Sequence, residues 1–506
     1  MSLAAYPRRA LATLRAVILD RAELARVLGT EIPPGVDEGV RGVAHDSRRV
    51  KPGFAFVAIP GFKRDGAEFA PEALRRGASL VVAEREVPEV PTAVVPDARI
   101  ALAALARAVF GDPSGSMQVY GVTGTNGKTT TAYALHSILA GAYGEGMCGL
   151  MTTVETISAG ERRPAVRTTP EAVEVQETLA RMLEAGVRRV VMEVSSHGIE
   201  LGRVSGTRFE GALFTNLTRD HLDLHGTMEA YYATKRELFR WTESPKVANA
   251  EDAWGRRLAR EVACVKTFGG TAEADYRVAR VETSRNGTSF TLCHSGGDLG
   301  LETPLLGPYN VLNVAGAVSL ALEAGVEGDA AAGAVRTMGQ VPGRFERVAA
   351  ESGFEVIVDY AHTDVGLEAV LGVARGLVEN GRHPGGRVIC VFGAAGERDG
   401  AKRPRMGRVA ARLADLSIVT TDDAYAEDPS RIAREVAVGA DPARTEVLLD
   451  RRAAIRRALS VARAGDVVII AGKGHERVQH LPEGDVPFHD ATVVGELLEE
   501  LDEGEG

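Results

Sequence analysis

The segment VYGVTGTNGKTTT, Val119 to Thr131, restricts the fold of this chain more than any other. An apolar run, QVYGV, leads into a glycine-bearing turn, and TTTAYALHSILAGA follows with the composition of a helix. A strand that passes through glycines straight into a helix predicts a parallel neighbour, because the helix carries the chain back to the start of the sheet. The turn ends in Gly127-Lys128-Thr129, as does the phosphate loop G-x-x-x-x-G-K-[ST]. The first glycine of that pattern is displaced: Val122 holds its position, flanked by Gly121 and Gly124. The three parts of an anion cradle are nevertheless in place: a strand, glycines that turn backbone N–H groups inward, and a helix N-terminus. Lys128 then reaches terminal phosphates and Thr129 offers a hydroxyl to Mg²⁺. The plain alternative is an ordinary strand–helix turn that contains a lysine.

The length of 506 residues exceeds what one core usually serves, so several domains are expected. Three blocks are legible. The first, 1–114, has short strand-like runs at 54–59, 80–83 and 93–95 among helices rich in Ala and Arg, and GDPSGSM punctuates its end. The second, 115–342, contains the opening loop and two further apolar strands, RRVVMEV and GALFTNL, while alternating sequence over 271–303 predicts an antiparallel extension. The third, 343–506, follows a candidate hinge at Val341-Pro-Gly-Arg344 and ends in an acidic tail. It repeats one pattern four times, in EVIVDYAHT, RVICVFGAAGERDG, LSIVTTDDAY and VVIIAGKGHE. Each is an apolar strand that ends in a polar loop, the pattern of an open α/β sheet with ligand loops at the strand C-termini. The expected class is α/β.

A net charge of −10 argues against a nucleic-acid partner, which requires a basic footprint. No apolar run reaches the length of a membrane span. The first 29 residues contain arginines throughout, and read as an amphipathic helix rather than a secretory signal. Cys148, Cys264, Cys293 and Cys390 are widely spaced, without C-x-x-C, which suits a reducing cytoplasm better than a zinc site or disulfide framework.

Two polar clusters follow strands of the second block. MEVSSHGIELGRV places Glu193, Ser195, Ser196 and His197 after one, and FTNLTRDHLDLHG places Asp220, His221, Asp223 and His225 after another. Loops of adjacent parallel strands meet at one sheet edge, where an acid and imidazoles can hold Mg²⁺ or position a substrate. Taken singly, each is equally a solvated loop residue or a helix cap.

The motifs GTNGKTT, EVSSHGIELGRV, FTNLTRDHLDLHGTMEAYYATKRELF, PGRFERV, VDYAHT, VFGAAGERDGAKRPRMG and AGKGHE occur in that order, and HDSRRVKPG precedes them at 45–53. The set resembles the Mur ligases, ATP-dependent enzymes that build the peptide stem of cell-wall precursors. It is most similar to the branch that adds the third residue to UDP-N-acetylmuramoyl-L-alanyl-D-glutamate. The resemblance implies three domains: a UDP-binding α/β domain, a central P-loop ATPase-like parallel sheet, and a Rossmann-like domain for the incoming amino acid. It implies that His45, Ser47 and the Phe62-Lys63-Arg64 segment face the UDP part, and that Thr168, Thr169, Ser195 and Arg203 hold the sugar-peptide. Arg167 stands where the family often has Asn. Gly124, Thr125, Asn126, Gly127, Lys128, Thr129 and Thr130 are implied to cradle ATP, with Asn310, Asn313, Arg344 and Asp359 completing the nucleotide site.

The resemblance also implies the chemistry. A glutamyl γ-carboxylate attacks the γ-phosphate of ATP, and an amine attacks the resulting acyl phosphate. Like charges approach in the first step, so Lys128 and Mg²⁺ must neutralise them. Thr129, Glu193 and His221 are the candidates for holding metal. Lys235, in YYATKRELF, is implied to carry a carbamate from CO₂ that supports a second Mg²⁺, where a bare ammonium would repel it. Lys128, Lys235 and His221 are the catalytic candidates. A monomeric cytoplasmic enzyme is expected, closing about Pro342-Gly343. Rival readings are a folylpolyglutamate-type ligase, the D-alanyl-D-alanine-adding relative, and a P-loop ATPase that only hydrolyses ATP.

The third residue rests on TTDDAYAEDP at 420–429. By resemblance, ligases that add meso-diaminopimelate usually carry D-N-P-R where this chain has Asp422-Asp423-Ala424-Tyr425. The exchange removes a cation and adds an anion, which favours a distal ammonium over a distal carboxylate. L-lysine or L-ornithine is therefore the expected diamino acid, with Arg398 for its α-carboxylate and Gly472 and Glu476 near its amino groups. The alternative is meso-diaminopimelate, met by another arginine such as Arg403 or Arg405.

Overall fold

A computed structural model describes residues 17–504 apart from 37, 62–63, 285–286, 349–352 and 380–382. Most of the anticipated N-terminal amphipathic helix, and the Phe62-Lys63 pair, lie outside the described residues. The chain divides into two compact units: one made of residues up to Gly124, Tyr143–Leu213 and Arg219–Lys246, the other of Thr125–Ala142, Phe214–Thr218 and everything from Val247.

The first unit begins with α1 (Arg21–Leu28), which Asp20 opens through a capping box with Glu23 and Gly29 closes at φ 64°. Strands β1 (Gly42–Ala44), β2 (Phe54–Val57), β3 (Ala78–Ala83) and β4 (Thr92–Val94) form a parallel sheet in that order. Helix α2 (Ala70–Arg75) connects into β3, and α3 (Ala98–Val109), capped by Asp97, buries Leu102 and Leu105. The three strand-like runs of the first block thus form strands.

β5 (Gln118–Thr123) leads into the glycine loop and α4 (Lys128–Tyr143). Then come β6 (Cys148–Met151), β7 (Glu155–Ser158), β8 (Glu161–Pro164), α5 (Ala172–Glu184), β9 (Arg189–Glu193), α6 (Ser196–Glu200), β10 (Gly211–Phe214), α7 (Leu222–His225) and α8 (Met228–Trp241). In this unit the strands neighbour one another in the order β10-β5-β9-β6-β7-β8. β5 and β9 are parallel, with Val122 opposite Glu193. Both are buried along nearly their whole length, which explains why their sequences are continuous apolar runs rather than alternations.

The second unit continues with β11 (Lys246–Asn249), α9 (Ala253–Glu261) and β12 (Val265–Gly269), then the expected antiparallel extension, β13 (Tyr276–Ser284), β14 (Gly287–His294) and β15 (Gly297–Thr303). Helices α10 (Pro308–Glu323) and α11 (Gly328–Thr337) follow. The C-terminal part holds β16 (Glu346–Val348), β17 (Glu355–Asp359), α12 (Asp364–Glu379), β18 (Val388–Phe392), α13 (Arg403–Leu413), β19 (Leu416–Val419), α14 (Pro429–Ala437), β20 (Thr445–Val447), α15 (Arg451–Val461), β21 (Val467–Ala471), the hairpin β22 (Val478–Leu481) and β23 (Gly484–Pro487), and α16 (Asp490–Gly504). Its sheet runs β16-β17-β21-β18-β19-β20, parallel except for β16. Alternate strand residues serve opposite cores. Ile357, Cys390 and Ile469 pack with Leu367 and Leu371 of α12, whereas Val358, Val391 and Ile470 pack with Ile455 of α15 and Val494 of α16. The four repeated strand–loop units are β17, β18, β19 and β21, and their polar loops leave one edge of this sheet.

Candidate active site

In the second unit a cavity of about 280 Å³ opens beside the glycine loop, lined by Asn126, Gly127, Thr130, Thr215, Asn216, Thr218, Asn249, Phe268, Tyr309, Asn310, Asn313, Arg344, Asp359, Tyr360 and His362, with Leu312, Val365 and Val370 as apolar wall. The loop is fixed from several sides. The Asn126 amide donates to the Asn216 side chain at 3.0 Å, which donates back to the Asn126 carbonyl at 3.1 Å. Gly127 has φ +83°, and a Cβ there would fall 2.2 Å from Asn313 Oδ1. Asn313 donates to Asn310 Oδ1 at 3.1 Å, and Asn310 to the Leu306 carbonyl at 2.8 Å. The two asparagines thus brace the loop as well as line the cavity. Lys128 Nζ donates to the Thr125 carbonyl at 2.9 Å.

Arg344 Nη2 donates to Thr129 Oγ1 at 3.1 Å, and its guanidinium lies 4.5 Å from the Tyr360 ring centre. Asp359, at the end of β17, accepts from the amides of Phe345 (2.6 Å) and Ala361 (2.8 Å). Burial raises its pKa to about 6 against the pull of Arg344. It clamps the turn after the hinge, and Gly343 at φ +64° would clash there with His475 if it bore a Cβ.

The first unit gathers another set. Lys235 on α8 is 1% exposed, and its Nζ donates to the Gly124 carbonyl at 2.8 Å. Glu193, also 1% exposed, accepts from the Thr153 amide at 3.1 Å. His221 caps α7 at φ 52°, and packs edge-on against His197 with centroids 4.8 Å apart. The Asp223 side chain lies outside the described residues. Among the described residues no group of three or more His, Cys, Asp or Glu is arranged to hold a metal ion.

The sugar-peptide candidates come together, but several are occupied by the protein itself. Thr169 Oγ1 donates to the Glu193 carbonyl (3.1 Å) and accepts from the Ser195 amide (3.0 Å), while Ser195 Oγ accepts from the Gly198 amide of α6 at 3.0 Å. These two residues shape the end of β9. Arg203 bridges the Thr169 carbonyl and Glu171, and Arg167 pairs with the same carboxylate. HDSRR and RTTPE lie side by side: Arg49 pairs with Glu174, and burial lowers the His45 pKa while Glu171 and Glu174 oppose it. Ser47 donates to Glu72 at 3.0 Å. Thr168 donates to Thr153 at 3.1 Å.

The third-residue candidates converge in the second unit, and the anion that the lysine or ornithine expectation counts as added is partnered there. Asp423 is not an added free anion: it accepts from Lys473 Nζ at 2.7 Å and from the His480 amide at 2.9 Å. Lys473 is fully buried and also donates to Glu476 at 3.0 Å. Asp422 receives the Asp423 amide, and the absent Cβ of Gly472 (φ +118°) leaves room for its carboxylate. Arg403 is committed to Glu427, Glu435 and the Ala395 carbonyl, so it is no substitute cation for a ligand, whereas Arg405 is exposed. Tyr425, at φ +50°, stacks on His480 with centroids 5.2 Å apart, and Arg398 approaches its other surroundings at 5.9 Å from the ring centre. Sequence reasoning missed Tyr360, Lys473, Asn216 and Phe268. The first three stand inside quoted motifs, but nothing in the sequence marks Phe268.

Three family models match in order: "Mur ligase family, catalytic domain" over residues 39–110, "Mur ligase middle domain" over 122–321, and "Mur ligase, glutamate ligase domain" over 343–474. A UDP-N-acetylmuramoyl-L-alanyl-D-glutamate–2,6-diaminopimelate ligase of Solibacter usitatus is 44% identical over 493 residues, covering 95% of this chain and 97% of its own. A protein of the same name from Syntrophomonas wolfei is 40% identical over 489 residues, covering 94% and 98%. A solved structure titled as a ligase of that name is 31% identical with a TM-score of 0.67, covering 96% of this chain and 99% of that one.

Proposed function

Because this chain belongs to the Mur ligase family, we propose that it joins a third amino acid, a diamino acid, to UDP-N-acetylmuramoyl-L-alanyl-D-glutamate. It is an ATP-dependent, ADP-forming acid–amino-acid ligase of peptidoglycan synthesis. The observation that carries the fuller reading is the braced glycine loop, whose Thr129 hydroxyl accepts from Arg344, a residue that lines a cavity of mixed polar and apolar character beside the loop. The domains are assigned as 1–114 for the UDP-sugar, 115–342 for ATP and 343–506 for the amino acid.

The residues suit the chemistry. Backbone N–H groups of Gly124 to Thr130 and the Lys128 ammonium take the phosphates. Thr129, Glu193 and His221 are the candidates that would hold Mg²⁺, whose charge would offset that of the phosphates and the glutamyl carboxylate; so few protein ligands suit an ion that keeps water and phosphate oxygens. Lys235 fits carbamylation. A carbamate nitrogen retains one N–H, which can keep the hydrogen bond to the Gly124 carbonyl while two new oxygens supply the anion. In the second step the amine attacks the acyl phosphate carbonyl and phosphate departs. The reading includes a cytoplasmic monomer. Among the described residues no helix is long and apolar enough to cross a membrane.

For the incoming residue, the reading best supported is meso-diaminopimelate, because the relatives are named for 2,6-diaminopimelate. This replaces the lysine or ornithine expected from sequence, which the relatives' names do not support; the Lys473–Asp423 pair also offsets the anion that expectation counted. One observation still favours the plain diamino acids: Tyr425, not an arginine, occupies the loop. Competing the three amino acids at equal concentration, with products weighed by mass spectrometry, separates the readings. Preferential incorporation of diaminopimelate is expected, and dominance of lysine or ornithine would restore the rival.

A further inference from the structure

A continuous polar chain crosses the second unit from the phosphate loop to the third-residue loop. Arg344 holds Thr129 and lies over the Tyr360 ring. The Tyr360 hydroxyl donates to Glu476 Oε1 at 3.2 Å. Glu476 Oε2 accepts from Lys473, which also donates to Asp423. The Asp423 carboxylate receives the His480 amide, the Tyr425 amide donates to the His480 carbonyl at 3.1 Å, and the two rings stack. Lys473 has no exposed side-chain surface and Asp423 very little, while Glu476 keeps about a third of its side chain exposed. Removing one partner in such a setting leaves another polar group buried and unsatisfied, so its geometry is strongly specified.

We infer that Tyr360 is a positioning residue that ties the nucleotide side of the pocket to the amino-acid side, aiming Glu476 and, through Lys473, the Asp423–Tyr425 loop at the incoming residue. Its ring carries the Arg344 guanidinium on its face, and its hydroxyl fixes one oxygen of the carboxylate. Neither phosphate loop nor third-residue loop touches the other in this chain of contacts; Tyr360 is the link with an aromatic surface for one and a hydrogen bond for the other. The inference rests on the ligase reading above, and adds a residue to which that reading gives no role.

Tyr360→Phe keeps the ring and the Arg344 contact and deletes only the hydroxyl. In the full chain, with all three substrates, it should raise the amino-acid KM by about tenfold, the range set by loss of a hydrogen bond to a charged group. The ATP KM should change by less than about twofold, since the ring is retained. Glu476→Gln should raise the same KM, and adding Tyr360→Phe to it should change little more, because one bond cannot be lost twice. Turnover by the wild-type enzyme, measured in parallel, separates the two readings: without it the ligase reading fails. With it, an unchanged amino-acid KM in Tyr360→Phe, equal rises in both KM values, or fully additive effects in the double variant would each overturn the positioning role.

Discussion

At the scale of single residues, two positions carry sharp predictions. Gly127 must adopt φ +83° and leave room for Asn313 Oδ1. Gly127→Ala places a methyl group inside van der Waals range of that oxygen and strains the backbone by roughly 1–3 kcal/mol. Nucleotide affinity should fall by at least about tenfold, measured by calorimetric titration with ADP; unaltered affinity would show that the loop tolerates the displacement. Lys235 is the second position. It is 1% exposed on α8 with its Nζ donating to the Gly124 carbonyl, and the proposed carbamate is tested there. Lys235→Ala should abolish turnover, with partial recovery on adding short-chain carboxylic acids. Near-normal turnover without them contradicts the carbamate. Both residues were named from the sequence because each sits in a motif. The work done by Thr169 and Ser195 was not, since a hydroxyl that braces a strand end and one that meets a ligand look alike in a sequence.

At the scale of elements, the strands were the most legible feature. β5, β9, β17, β18, β19 and β21 are buried on both faces, and burial of that kind writes uninterrupted apolar runs. What the loops at their ends do was harder to read, because pairing between distant loops has no local signature. Lys473 after β21 pairs with Asp423 after β19, 50 positions away, so the anion that the sequence counts as added is a partnered one. It also changes which variant is informative. Asp423→Asn would leave Lys473 short of an anion in a dry setting, so Tyr425→Arg alone is the cleaner change, and it should raise kcat/KM for diaminopimelate relative to lysine. The end of β17 supplies a pH effect. Asp359 is raised from an ordinary 3.8 to about 6 by burial. The folded state therefore holds a proton that the unfolded state releases, and stability declines as pH rises through the window from about 4 to 6. That rise is worth on the order of 3 kcal/mol. Urea midpoints across this window should slope downward with pH in the wild type and flatten in Asp359→Asn; parallel slopes would show that another group is responsible.

At the scale of the whole molecule, three Mur ligase family models match in series along one chain. Assigning ATP to 115–342 and the amino acid to 343–506 makes closure about Pro342-Gly343 part of the proposal. Solution scattering should report a smaller radius of gyration with nucleotide and both substrates than without, and identical values in every ligand state would count against closure. The central claim, that ATP cleavage is coupled to joining two substrates, has a more direct test. ADP release is followed with ATP and Mg²⁺ alone, then with UDP-N-acetylmuramoyl-L-alanyl-D-glutamate, then with diaminopimelate also present. The account predicts sustained release only in the complete mixture, with one tripeptide product formed per ADP. Release at the same rate without the sugar-peptide or the amino acid would contradict it and leave a simple ATPase in its place.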